Sequence, residues 1–258
     1  MPIDYARGLT GRKRTVEANR HLGFTLAFVA GATNAGGFLA VHQYTSHMTG
    51  IVSAMADNVA LSLYAPAFAG MIAVFSFLGG ASCSAIMVNY ARRRRMHSEY
   101  ALPLLFEAAL LLCFGILGAR LVKIGTFLVP SAVMLLCFMM GLQNAVITKL
   151  SNAEIRTTHI TGIVTDLGIE LGKLIYWNAA ESGDQPKVLA NRDHLKVLTL
   201  LVVFFFMGGV AGALGFTRVG YIVTVPLALI LVALAIIPAL DDFAVFVYRL
   251  KREWLETH

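Results

Sequence analysis

The sequence predicts an all-α polytopic membrane protein, with six transmembrane helices and two re-entrant half-helices in an inverted 3+3 repeat. Only 14% of the 258 residues are charged and 57% are hydrophobic, whereas soluble globular domains carry about 25% charged residues. Five runs lack Asp, Glu, Lys and Arg, namely 21–56, 58–91, 124–148, 197–217 and 219–240. Each is long enough for a helix of about 20 residues to cross a bilayer. A third indication is a His-x-Thr-Gly motif that begins at His47 and again at His159.

The predicted spans are 22–42, 68–90, 102–122, 126–148, 197–217 and 220–240. Two further stretches, 48–64 and 160–177, are shorter. At 1.5 Å per residue each gives a helix of roughly 25 Å, which is marginal for a hydrocarbon core of about 30 Å. The first stretch is bounded by polar residues and Pro66, and the second contains Asp166, Glu170 and Lys173.

Basic residues in the loops predict the orientation. The N-terminal arm and the four consecutive arginines at 92–95 are both expected in the cytoplasm by the positive-inside rule. An even number of crossings must separate them, so we interpret 48–64 as a re-entrant helix that enters from the outer face. The same rule makes 160–177 enter from the cytoplasm. Of 21 Lys and Arg residues, all but Arg120, Lys123 and Arg218 then lie inside. The alternative is that both stretches are short full spans, which gives eight crossings.

The chain also repeats itself. Segment 31–35 is echoed by 141–145, segment 47–52 by 159–164, and segment 75–80 by 204–209. We therefore divide the chain into a cytoplasmic arm (1–21), a first membrane repeat (22–122), a second membrane repeat (123–240) and a cytoplasmic tail (241–258). Three crossings per half is an odd number, so the second half is predicted to be inverted. Inverted repeats with broken helices that meet near the midplane are typical of transporters.

Three segments carry a resemblance to a known family: Asn-Ala-Gly-Gly-Phe-Leu from Asn34, His-Met-Thr-Gly from His47, and residues 156–168. They closely resemble the YoaK-like family of bacterial membrane proteins, and the likeness extends from about residue 22 to 240. The resemblance implies a multi-pass protein of the bacterial inner membrane and implies no activity, because the family's function is unassigned. Many members carry an acidic residue where this chain has Asn34 and an asparagine where it has Ile51. If that acid carries a proton in relatives, this chain is not expected to be coupled to protons in the same way.

The candidate substrate-binding residues are polar or small residues that the repeat places in both halves: Asn34, His47, Thr49, Gly50, Asn144, His159, Thr161 and Gly162. Both threonines lie where a half-helix would begin, and such an end presents unpaired amides and a positive dipole to an anion. Histidine can bind an oxygen or relay a proton near neutral pH. The alternative is structural: threonine caps, glycines in close packing, and hydrogen bonds between helices.

The candidate gating or proton-relay residues are charged groups in or beside the predicted spans: Asp57, Glu107, Arg156, Asp166 and Glu170. An ionisable residue at membrane depth is a functional candidate by default. Arg156 can equally anchor the chain at the headgroups, and Glu107 can reach the cytoplasmic interface. The acids of 160–177 also suit an amphipathic helix on the membrane surface.

These features favour a channel or secondary transporter for a small polar or anionic solute, bound where the two motifs meet near the midplane. The alternative is a membrane scaffold or sensor, with a dry and tightly packed centre. The sequence holds no nucleophile-base-orienter set and no metal-ligand spacing, so we expect no enzyme activity, cofactor or metal. Expected partners are the lipid bilayer and a small-molecule or ion substrate, not nucleic acid. Assembly of the chain into a homo-oligomer stays open.

Overall fold

Residues 15–94, 96, 99–124, 128–150, 159–176, 187–237 and 239–240 are described by a computed structural model. The helices are α1 (Val16–Val41), α2 (Met48–Ala60), α3 (Tyr64–Arg93), α4 (Ala101–Ile124), α5 (Val129–Leu150), α6 (Ile160–Ile175), α7 (Arg192–Arg218) and α8 (Gly220–Ile237), which begins with a 3-10 turn. The described part of the chain contains no strand. Six of the helices, all except α2 and α6, are long and apolar enough to cross a membrane. The predicted all-helical membrane fold with six candidate spans is confirmed.

The helices begin and end at other residues than the hydrophobic runs predict. Helix α1 begins at Val16 because the side chain of Thr15 accepts a hydrogen bond from the amide of Ala18, at 3.2 Å. Helix α3 begins at Tyr64 and includes Pro66 in its first turn. Proline is tolerated there because first-turn amides have no partner within the helix.

The two short helices are shorter than the sequence predicts. Helix α2 has 13 residues and α6 has 16, which gives lengths of about 20 and 24 Å. Neither length reaches across a hydrocarbon core of about 30 Å.

Helices α1 and α7 run parallel and approach closely through glycine. A Cβ atom on Gly31 would lie 2.0 Å from the carbonyl oxygen of Phe205, and one on Gly208 would lie 2.0 Å from that of Phe28. Further along the same pair, Gly36 faces the ring of Phe216. Small residues allow helix backbones to approach in this way within membranes.

Helices α3 and α5 form a second parallel pair of the same kind. A Cβ atom on Gly141 would lie 2.0 Å from the carbonyl oxygen of Phe77, and one on Gly80 would lie 1.9 Å from that of Phe138. Near the end of this pair, the ammonium of Lys149 donates to Asn89 Oδ1 at 2.9 Å. Each close pair therefore combines one helix from each half of the chain.

Helix α5 lies antiparallel to α1 and joins the two pairs. The side-chain amide of Gln143 donates to the carbonyl oxygen of Leu26 at 3.3 Å, and Leu136 packs beside Gly37. Helices α4 and α8 are also antiparallel, because Gly115 lies against Thr224 and Gly118 against Tyr221.

One end of the bundle gathers the last turns of α3 and α5 and the first residues of α4. Arg92 Nε donates to Glu99 Oε2 at 3.2 Å, and the hydroxyl of Tyr100 donates to the carbonyl oxygen of Lys149 at 3.2 Å. Because α5 is antiparallel to α1 and α7 is parallel to it, the first turns of α1 and α7 lie at this same end. We call it the basic end, since Arg92, Arg93 and Arg94 at the end of α3 lie there.

Candidate functional site

The chain turns back into the bundle after α1. His42 ends α1 in the left-handed conformation, with φ of 52°. The hydroxyl of Ser46 then donates to Asn34 Oδ1 at 3.0 Å. Asn34 lies about two turns before Val41, the last residue of α1, which is roughly 10 Å along the axis. Helix α2 therefore begins beside the middle of α1 and not at its end, and His47 and Thr49 are exposed at this start.

The histidines of the two motifs occupy equivalent positions at the starts of α2 and α6. His47 is the N-cap residue of α2 and His159 that of α6, and neither ring accepts a hydrogen bond from the first turn of its helix. Thr49 and Thr161 are the second residues of these helices, and not the caps that their residue type suggests. The first-turn amides of both helices lack carbonyl partners within their own helix.

Both motifs line one cavity of about 560 Å³, the central cavity. Its polar lining comes from Asn34, Tyr44, Ser46, His47, Thr49, His159 and Thr161, and its apolar lining from Met48, Phe77, Ile160 and Phe205. Among the residues described, this lining includes no carboxylate, ammonium or guanidinium group. The volume is within the range of about 300–1,000 Å³ that is usual for small-molecule sites.

Helices α2 and α6 leave the central cavity toward opposite ends of the bundle. Helix α6 ends beside the start of α7, at the basic end, where Glu170 accepts from the backbone amide of Asn191 and from Lys173 Nζ, each at 2.7 Å. These bonds, chiefly that from Lys173, lower the pKa of Glu170. Helix α2 ends at the start of α3 through a turn in which Ser62 has φ of 61°. Because α3 runs toward the basic end, that start lies at the other end.

The remaining substrate-site candidates lie apart from the central cavity. Asn144 is buried in α5, where its side-chain amide donates to the carbonyl oxygen of Met140 at 2.8 Å, and it does not line the cavity. Gly50 lies next to the ring of His47: a Cβ atom there would be 2.6 Å from His47 Nδ1. Gly162 has no atom within 4 Å of the corresponding position.

The gating and relay candidates do not form one cluster. Asp57 and Asp166 are exposed on α2 and α6. Glu107 is buried in α4, and its Oε2 atom has no hydrogen-bond partner among the described residues. Arg156 lies outside the described residues.

Six residues of the cavity lining were not predicted: Tyr44, Ser46, Met48, Phe77, Ile160 and Phe205. Tyr44 and Ser46 belong to the polar link that precedes the first motif, which was read only as a boundary. Phe77 and Phe205 lie in the repeated segments 75–80 and 204–209, so the repeat itself carried a signal for them. Their position in the cavity depends on the packing of α3 and α7, which no local pattern reveals.

Six long apolar helices and two short ones that start at a shared cavity define a multi-pass α-helical membrane protein. The chain belongs to the family described as protein of unknown function (DUF1275), whose model matches residues 22–237. It is 24% identical over 207 residues to the UPF0700 transmembrane protein YoaK of Bacillus subtilis (strain 168), a match that covers 80% of this chain and 88% of that relative. The predicted resemblance to YoaK-like proteins is confirmed. No solved structure matches the chain.

Proposed function

We propose that this protein is a channel or secondary transporter for a small polar or anionic solute, which binds in the central cavity. The observation that carries the proposal is that both His-x-Thr-Gly motifs, more than a hundred residues apart, line one cavity. A non-transporting scaffold or sensor is the alternative. An open cavity with seven polar side chains in its lining favours transport over the dry, packed centre that a scaffold requires.

The inverted repeat is part of the proposal, and matched glycine contacts support it. Gly31 and Gly141 are 110 residues apart, as are Phe28 and Phe138, and each glycine contacts a phenylalanine carbonyl of the other half. The contact partners Phe77 and Phe205 differ by 128, as do Gly80 and Gly208. The offset of 128 between these contact partners differs by one residue from the offset of 129 between the segments 75–80 and 204–209. The α1–α7 and α3–α5 pairs are then equivalent under a pseudo-two-fold axis.

We further propose that α2 and α6 are re-entrant helices that enter from opposite faces of a bacterial inner membrane. Their lengths, their shared start at the central cavity and their ends at opposite ends of the bundle support this arrangement. The arginines at the basic end favour a cytoplasmic location for that end and for both chain termini.

The chemistry of the cavity favours an anion or a carbonyl oxygen as ligand. Two helix N-termini supply amide donors and the positive ends of two helix dipoles. The dipoles of α2 and α6 point in opposite directions along the membrane normal. Because both helices begin at the central cavity, each dipole has its positive end there. Thr49 and Thr161 add hydroxyl donors, and each histidine ring adds at least one N–H donor. We propose no catalytic role for these residues.

Anion flux in proteoliposomes tests the proposal. We expect His47→Ala and Thr161→Val to reduce the flux of chloride or acetate at least tenfold while the protein keeps its elution profile and melting temperature. Ser53→Ala and Thr165→Val are matched controls, because both residues are exposed on the same short helices and neither lines the cavity. Normal flux in both cavity variants, or no flux in the unmodified protein with any probe, would contradict transport and favour a scaffold.

A further inference from the structure

A second cavity of about 490 Å³ adjoins the central cavity on the side of α2. It is bounded by α2, the first turns of α3 and the start of α5. Most of its lining is aliphatic or thioether, including Ile51, Ala54, Met55, Ile72 and Val133. Gln43, Tyr44, His47 and Asn58 are the polar side chains in this lining, and no charged group among the described residues contributes to it. We call it the apolar cavity.

Tyr44 and His47 line both cavities, so these two side chains form the boundary between them. The ring of His47 lies against Gly50. A Cβ atom added to Gly50 would be 2.6 Å from Nδ1 of His47. Gly50 itself lines the apolar cavity. A molecule bound at this boundary therefore meets hydrogen-bonding groups on one side and hydrocarbon on the other.

From this juxtaposition we propose that the substrate is a small amphiphilic anion, a carboxylate with a short apolar chain or ring. Its carboxylate lies in the central cavity among Thr49, Thr161 and the two helix starts. Its apolar part passes Tyr44 and His47 into the apolar cavity. The inference rests on the proposed function and narrows its substrate class.

The energetics of the two cavities distinguish such a molecule from a fully hydrated inorganic anion. Chloride or formate can use only the central cavity, whereas a longer acid also removes apolar surface from water. Each methylene buried in this way strengthens binding by about fourfold, which is the effect of about 0.8 kcal/mol. An ordinary anion site would show no such dependence on chain length.

Binding of a homologous series to the purified full-length protein tests the inference. We would measure dissociation constants for formate, acetate, propionate, butyrate and pentanoate by calorimetry in detergent, and subtract the signal of protein-free micelles. We expect affinity to rise by about fourfold per methylene over the series. Equal affinities from formate to pentanoate would overturn the inference.

Two substitutions test which cavity causes affinity to depend on chain length. Ala54→Phe places a ring in the apolar cavity, so we expect the gain per methylene to vanish while formate binds as before. Ala56→Phe is the matched control, because Ala56 is exposed on α2 and lines neither cavity. His47→Gln should weaken the whole series by a similar factor. A gain per methylene that survives Ala54→Phe would also overturn the inference.

The outcomes separate this inference from the proposed function. One outcome is that chloride and formate cross the proteoliposome membrane while longer acids neither bind more tightly than formate nor compete with it. In that case the proposed transport stands and the proposed amphiphilic substrate is wrong. If none of the anions binds or crosses, the proposed function itself fails.

Discussion

Helices α2 and α6 begin with the same motif at the same cavity, yet their surroundings differ. In α2 the ring of His47 lies over Gly50 and separates two cavities. In α6 the equivalent Gly162 faces open space, and Glu170 attaches the far end of the helix to the start of α7 by accepting from the Asn191 amide. The comparison teaches that two copies of one sequence motif can both line the central cavity while their other contacts differ. We infer that α2 carries selectivity and that α6 chiefly completes the central cavity.

The largest expected effect tests whether the two halves pack equivalently. Gly31→Ala and Gly141→Ala should destabilise the protein by similar amounts, because each new Cβ would lie 2.0 Å from a backbone carbonyl oxygen that cannot move alone. Overpacking of this kind costs about 1–3 kcal/mol or more. The measurement is thermal unfolding in detergent. Gly209→Ala is the control, since its Cβ would meet its nearest atom at 3.8 Å. Clearly unequal losses would break the equivalence of the two pairs.

A smaller effect tests the difference between the two motif glycines. Gly50→Ala should displace the ring of His47 and reduce anion flux several-fold, without loss of the folded state. Gly162→Ala meets no atom within 4 Å, so flux should be kept, and stability should rise by about 0.5–1 kcal/mol because alanine favours helix over glycine. Flux and melting temperature measured on both variants check this. If Gly162→Ala reduced flux as much as Gly50→Ala, the proposed division of roles would be wrong.

The smallest effect concerns the attachment of α6. Glu170→Gln should lower the melting temperature at pH 7 by less than Gly31→Ala does, since it removes the charge that pairs with Lys173. The pKa of Glu170 is lowered in the folded protein, so its stabilising effect is complete above the ordinary glutamate pKa of about 4.3. It is lost as the pH falls through the lowered value.

The control for this prediction is Asp57→Asn, an exposed carboxylate on α2, which should leave the melting temperature nearly unchanged. The difference between Glu170→Gln and the unmodified protein should shrink as the pH is lowered from 7 toward 3. A difference that stays constant over that range would show that the charge of Glu170 is not what holds α6.

Much of the fold could be predicted because the uncharged runs are long and the hydrocarbon core sets a minimum length for a span. Helix ends were predicted less well, because hydropathy registers neither the hydrogen bond by which Thr15 caps α1 nor the tolerance of the first turn of α3 for Pro66. The same limit applies at the site. The structural alternative for Thr49 was a cap of α2, but His47 holds the cap position and Thr49 is the second residue of the helix.

The repeat predicted which residues would meet, since His47, Thr49, His159 and Thr161 share one cavity. It could not predict that Asn144 would turn to a carbonyl of its own helix while Asn34 lines that cavity. Nor could it predict the apolar cavity, which depends on how α2 lies against α3 and α5. Such differences between equivalent residues arise from packing that only one half possesses.

The close pairing of α1 with α7 has a consequence for biogenesis. The glycine face of α1 is made early, but its partner is translated only after more than two thirds of the polypeptide has been synthesised. Until then that face is left to lipid or to the insertion machinery, and a nascent chain released after α4 would lack the partners of both α1 and α3. Neither half is therefore expected to mature as an independent unit, because α1 and α3 find their partners only among the four helices that follow α4.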